Sequence, residues 1–145
     1  MRPTDNWRST RTTFKRLLVP LDGSETAEQI LPYVHEIAYK FNSSVTLIST
    51  SEGSESDDFA KTIKVYLENI KESLNSKGIE ANIQINSTDP TQTILNTATE
   101  LNIDLIMLAS HGRGGLDRRE KVKLGSVVDS ILQKTLCPVF LTSAG

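Results

Sequence analysis

The residues best suited to chemistry stand in one stretch, Ile106 to Ser126, reading IMLASHGRGGLDRREKVKLGS. An apolar run that reads as a buried strand empties into Ser110-His111-Gly112-Arg113-Gly114-Gly115. A loop of mixed charge follows, and Gly125-Ser126 then opens a helical pattern. Glycine lets backbone come close to a ligand, and the first turn of a helix offers unpaired N–H groups and the positive end of its dipole. Together they describe a cradle for a phosphate.

The elements that must position this cradle follow from hydrophobic spacing. Phe14 to Leu21 reads as a buried strand, and Asp22-Gly23-Ser24-Glu25 is a turn that caps what comes next. Ala27, Ile30, Leu31, Val34, Ile37, Ala38 and Phe41 share one helical face, with Pro32 set to kink the helix or free a carbonyl. Ser44 to Thr50 is a second strand, and Phe59 to Leu74 a second helix that Lys77-Gly78 stops. Ile79 to Asn86 is a half-buried or edge strand, and Asp89-Pro90 starts a third helix. Ile103 to Ala109 and Pro138 to Thr142 are the fourth and fifth strands, flanking a fourth helix marked by Val127, Val128, Ile131, Leu132 and Leu136.

Strands that alternate with helices along the whole chain predict a single doubly wound α/β domain, with helices on both faces of a parallel sheet. In such sheets ligands bind beyond the carboxyl ends of the strands, where strand order reverses. The loops after strands one and four both lie at that end.

Other chemistries find less support. The chain has no GxxxxGK[ST] loop and no GxGxxG after its first strand. His111 has no serine and carboxylate spaced for a catalytic triad, so no catalytic residue is assigned. His35 reads as a partly buried or surface residue. Two histidines and one cysteine do not make a protein-built metal site. Cys137 reads as a small core residue in a reducing, cytoplasmic setting. The net charge of −2 excludes a general nucleic-acid binder, and no apolar run approaches membrane-spanning length. Residues 1–13 are polar, carry three arginines and read as a loose arm ahead of a domain at 14–145.

Val19-Pro-Leu-Asp-Gly-Ser24, Ser110-His-Gly-Arg-Gly-Gly115, Gly125-Ser-Val127 and Cys137-Pro-Val139, in this order and spacing, resemble a universal stress protein domain. The resemblance implies a five-stranded parallel sheet ordered 3-2-1-4-5 with four helices, and a homodimer formed through the C-terminal strand Val139–Thr142. It also implies a stress regulator, not an enzyme, that binds ATP, with Mg2+ carried by the phosphates, and acts with a regulatory protein partner. Carried over by position, Pro20, Asp22 and Thr50 would meet the adenosine, Asp22 as acceptor for a ribose hydroxyl or adenine amino group. Leu108, Ala109, Ser110, His111 and Gly112 match the exit of strand four, and Gly125, Ser126 and Val127 match the second half of the phosphate cradle. A family branch without nucleotide, working through protein contacts alone, is the other reading.

The glycine pattern GxxGx9G[ST] of the nucleotide-binding branch can be laid on the chain in two registers, of which one satisfies it. Read literally, Gly112 and Gly115 are followed by nine residues and then Gly125-Ser126. Aligned on the strand end, Ala109 takes the first glycine's place and twelve residues separate Gly112 from Gly125. The second register adds a methyl group where backbone should approach the ligand, which favours the branch without nucleotide. Its longer loop brings Arg113, Arg118 and Arg119 as candidates for phosphate contact.

Overall fold

The computed structural model describes residues 13–50, 57–86, 88–111 and 124–144. Its strands are β1 (Arg16–Pro20), β2 (Ser44–Thr50), β3 (Glu80–Asn86), β4 (Leu105–His111) and β5 (Val139–Ala144). They form one parallel sheet in the order β3-β2-β1-β4-β5, as expected. The helices are α1 (Glu25–Glu28), α2 (Leu31–Phe41), α3 (Asp57–Ser76), α4 (Pro90–Glu100) and α5 (Leu124–Lys134).

Of the four helical connections, the first is divided. Pro32 lies in the first turn of α2, where its missing N–H costs nothing, but the same ring cannot continue a helix arriving from α1. The N–H of Gln29 and of Ile30 therefore bond only three residues back, to Thr26 and Ala27. The proline kink expected from sequence is thus a complete break that leaves α1 a single turn.

The period of two along each strand sorts side chains to two cores. Leu17, Val19, Val45, Leu47, Leu105 and Met107 face α2 and α3 and meet Val34, Ala38, Ile63 and Leu67. Leu18, Ile48, Ile106 and Leu108 face the other way, toward Ile94 of α4 and Val128 and Ile131 of α5. The two edges differ in character. β3 exposes Glu80 and Asn82, whereas β5 leaves Leu141 43% exposed.

The end of the sheet opposite the strand exits is tied by one carboxylate. Asp104 accepts from the N–H of Lys15 at 2.9 Å and of Arg16 at 3.0 Å. Phe14 has a φ of 49° and turns out of the strand to set its ring edge-on against Phe41, 5.3 Å between centroids. That turn is why β1 begins at Arg16 and not at Phe14. Asn102, at a φ of 53°, ends the α4 connection, and β4 starts later than the Ile103 expected. Leu136, placed on the last helical face from sequence, lies two residues beyond Lys134 and is fully exposed.

Replacing Leu47, whose side chain is fully buried in the α2–α3 core, by alanine should lower unfolding free energy by about 2–5 kcal/mol in urea denaturation. A loss under about 1 kcal/mol would mean that this core closes over the cavity far better than usual.

Candidate functional site

The sheet opens where its strand order reverses. β1 pairs with β2 through five positions, from Arg16↔Ser44 to Pro20↔Ile48, and the N–H of Leu21 extends that ladder to the carbonyl of Ile48 at 2.9 Å. Its pairing with β4 stops after Leu17↔Leu105 and Leu18↔Ile106. The cause lies in the backbone. N–H groups alternate sides along a strand; that of Leu21 points to β2, so position 20 must serve β4. Position 20 is proline and has no N–H to give. The next rung toward Met107 is therefore missing, and pairing ends short of the exits of β1 and β4, the place where such sheets form their ligand crevice.

One wall of the crevice is the turn after β1. The Asp22 Oδ1 accepts from the N–H of Ser24 at 2.9 Å, and the Ser24 Oγ accepts from the N–H of Ala27 at 3.1 Å. Within the turn expected to cap this helix, Ser24 is therefore the N-cap of α1. Asp22 instead folds the turn one step earlier, by a side chain that mimics backbone. Gly23 between them has a φ of +87°, a conformation that costs glycine little, and a Cβ there would lie 3.7 Å from Ile63 of α3. The turn thus rests directly on α3.

The opposite wall is the exit of β4. Leu108, Ala109, Ser110 and His111 are all in the strand, paired with Leu141, Thr142, Ser143 and Ala144 of β5. Leu108 is buried against the α4–α5 core, and Ala109 is 1% exposed with its methyl group in the α2–α3 core. The methyl therefore occupies core volume, and the residue keeps the negative φ of a strand. Glycine's freedom is not needed at this position. Thr50 ends β2 on the far side of β1, half-buried and paired with Asn86. Gly125, Ser126 and Val127 fall in the first turn of α5, with Ser126 exposed and Val127 half-buried. Gly112 and Gly115, with Arg113, Arg118 and Arg119, lie outside the described residues.

Pro20, Asp22, Thr50 and Leu108–His111 thus share the carboxyl edge of three adjacent strands, β2-β1-β4. Residues 13–143 match the model of the universal stress protein family. The chain belongs to that family. It is 26% identical over 148 residues to universal stress protein YxiE of Bacillus subtilis, covering 88% of this chain and 98% of that one. Protein MJ0577 of Methanocaldococcus jannaschii is a second relative. Its solved structure superposes with a TM-score of 0.79 at 26% identity, covering 92% of this chain and 98% of the other. A universal stress protein of Archaeoglobus fulgidus, solved in complex with dAMP, shares the fold at 19% identity and a TM-score of 0.69, with 89% of this chain and 98% of that one covered.

For a universal stress protein domain, the chain has one polar group near the turn that sequence reasoning overlooked. Tyr66 falls on the apolar face of α3 with Ile63, Leu67 and Ile70, and it read there as packing. Its ring does pack, but its hydroxyl is buried and has no hydrogen-bond partner. Burial first, then the Glu28 carboxylate, within interaction range of the hydroxyl, and the charge of Asp22 push the phenol above its ordinary pKa. No sequence pattern marks this group, because the carboxylates come from another element. The remaining candidates are ordinary: His35 is half-buried with its ring stacked 6.2 Å from that of Tyr39. Cys137 is half-buried beside the α4–α5 core. Among the described residues, no three histidine, cysteine or acidic side chains cluster as metal ligands would.

Two outcomes follow from these contacts. In Pro20→Ala the restored amide should be protected in hydrogen exchange, along with the amides of β4 that face it. A freely exchanging amide at position 20 of that variant would show that something other than the missing donor parts the strands. The raised pKa of Tyr66 stabilises the fold fully below about pH 10, the ordinary phenol value. That contribution is lost as pH rises past it, because the unfolded chain ionises first. Melting temperature above about pH 10 should therefore fall more steeply for the wild type than for Tyr66→Phe, and parallel curves would contradict the assignment.

Proposed function

We propose that this universal stress protein binds an adenine nucleotide, ATP in the first instance, in the crevice between β1 and β4, and acts as a nucleotide-dependent switch. The observation that carries this reading is the β1–β4 ladder interrupted at Pro20, which opens the sheet beside Asp22. The A. fulgidus neighbour's dAMP supports the ligand class. Adenosine would enter between the strand exits. Asp22, with Oδ1 committed to Ser24, offers Oδ2 to a ribose hydroxyl or the adenine amino group. Phosphates would run toward Gly112, Gly115 and the first turn of α5, where the N–H groups of Gly125, Ser126 and Val127 begin a helix whose dipole favours anions. Mg2+ would travel with the phosphates, held by them and by water. The family branch without nucleotide drew its support from Ala109 and from the longer loop, and the burial of the Ala109 methyl group speaks against the first of these.

In this reading the protein is not an enzyme; it has no assigned general base, and its output is a change of partner in the cytoplasm. The switch would be a homodimer joined through β5, the edge strand whose apolar face includes the exposed Leu141. Binding at the strand exits and pairing at β5 are linked through β4, which belongs to both.

Protein purified from cells and denatured should release adenine nucleotide detectable by mass spectrometry, and the emptied protein should bind ATP saturably in calorimetry. Asp22→Ala and Gly125→Ala should each weaken binding about tenfold or more, a loss near 1.4 kcal/mol. No saturable binding at millimolar ATP would overturn the proposal, and unchanged affinity in both variants would move the site elsewhere.

A further inference from the structure

β5 is an edge strand without the protection that edges ordinarily carry. Its residues, Val139–Ala144, include no charge, and β4 pairs with it through consecutive positions from Ile106↔Val139 to His111↔Ala144 without a bulge. The main-chain groups of β5 that β4 does not use point outward, a template for one more strand. Apolar side chains flank them on both faces of the sheet. Val139 and Leu141 stand on the α4–α5 face, with Leu141 exposed. On the α2–α3 face Phe140 is half-buried, and Tyr33 from the first turn of α2 lies against it, ring centroids 5.3 Å apart and planes at 42°.

Tyr33 keeps 44% of its surface exposed in spite of this contact. Its backbone is fixed, because its N–H bonds to the carbonyl of the fully buried Ile30 at 3.0 Å. A tyrosine held this way offers a large amphipathic ring at low cost in side-chain entropy, which is what interface anchors need. A second copy of the chain is the occupant this patch fits. A strand edge can pair with its own copy, antiparallel, about a two-fold axis perpendicular to the sheet, which keeps like faces together. Such a patch must not repel itself. β5 and its aromatic rim are uncharged, and the acidic and basic side chains of α2, Glu36 and Lys40, are paired with each other at 3.5 Å.

We infer that the Tyr33–Phe140 pair anchors the subunit contact: a second copy adds its β5 strand and covers these rings, so α2 as well as β5 belongs to the interface. Side chains directly opposite one another across an added antiparallel strand have Cβ atoms about 4.5–5.5 Å apart, which brings the second copy's residues on this face against Phe140 and the exposed side of Tyr33. This inference rests on the proposed homodimer and not on the nucleotide site.

The test is sedimentation equilibrium of the full chain without nucleotide. The wild type should dimerise at micromolar concentration. Tyr33→Ala should raise the dimer dissociation constant about tenfold or more with its far-ultraviolet circular dichroism unchanged, while Tyr33→Phe, which keeps the ring, should dimerise like the wild type. Leu141→Lys, which puts a charge on the edge from the other face, should be monomeric. A monomeric Leu141→Lys beside a Tyr33→Ala protein as tightly dimeric as the wild type would overturn the anchor and leave β5 pairing standing. In the wild type, with no substitution to disturb the fold, hydroxyl-radical labelling of Tyr33 should fall as rising concentration drives dimerisation; labelling independent of concentration would also overturn the anchor. Dimers that persist in both variants, or a wild type monomeric at high micromolar concentration, would overturn anchor and β5 pairing together, whatever ATP binding shows.

Discussion

The architecture turns on a hydrogen bond that is not made. A parallel sheet gains a rung from every second residue on each side of a strand, and β1, in the centre, would be zipped to both neighbours along its length. Pro20 allows full pairing with β2 and denies the next rung to β4. The central strand thus has one closed and one open side, and the opening falls where chain topology already brings two loops together. Core packing continues on both faces beneath the gap, with Val19 and Leu108 fully buried on opposite sides.

The same strand logic explains how Ala109 is tolerated. A strand residue sends its side chain to one face while its backbone runs along the edge of the crevice. At Ala109 the side chain goes to the α2–α3 core. A glycine there would supply freedom that strand geometry does not use. The turn after β1 behaves differently: Gly23 sits at positive φ over Ile63, and glycine meets that requirement at the least conformational cost. Two small residues near one site are thus constrained for opposite reasons.

Much of this was legible in the sequence. Period-two and helical spacing, with Asp89-Pro90 as a helix start and Lys77-Gly78 as a stop, placed every strand and its order of appearance, and the pattern around Asp22 and Ser110 drew attention to one edge of the sheet. The errors came where local signals compete. Asp22 and Ser24 are both good caps, and only the fold decides that Ser24 bonds Ala27 while Asp22 holds Ser24. Leu136 continues the helical period of α5, but the chain has already turned toward Pro138. Tyr66 was invisible as a polar group because its ring satisfies the apolar period and its neighbours Glu28 and Asp22 lie far away in sequence.

The unequal edges of the sheet have a consequence for how many copies can assemble. β3 presents Glu80 and Asn82 to solvent, and charged or polar side chains on an edge discourage another strand from adding there. β5 presents Leu141, which invites one. A sheet able to grow at one side only cannot propagate: once two copies meet through their β5 strands about a two-fold axis, both outer edges of the combined sheet are β3. In the proposed dimer, growth would end with two five-stranded sheets joined, and the charge on β3 would cap the assembly against fibre formation.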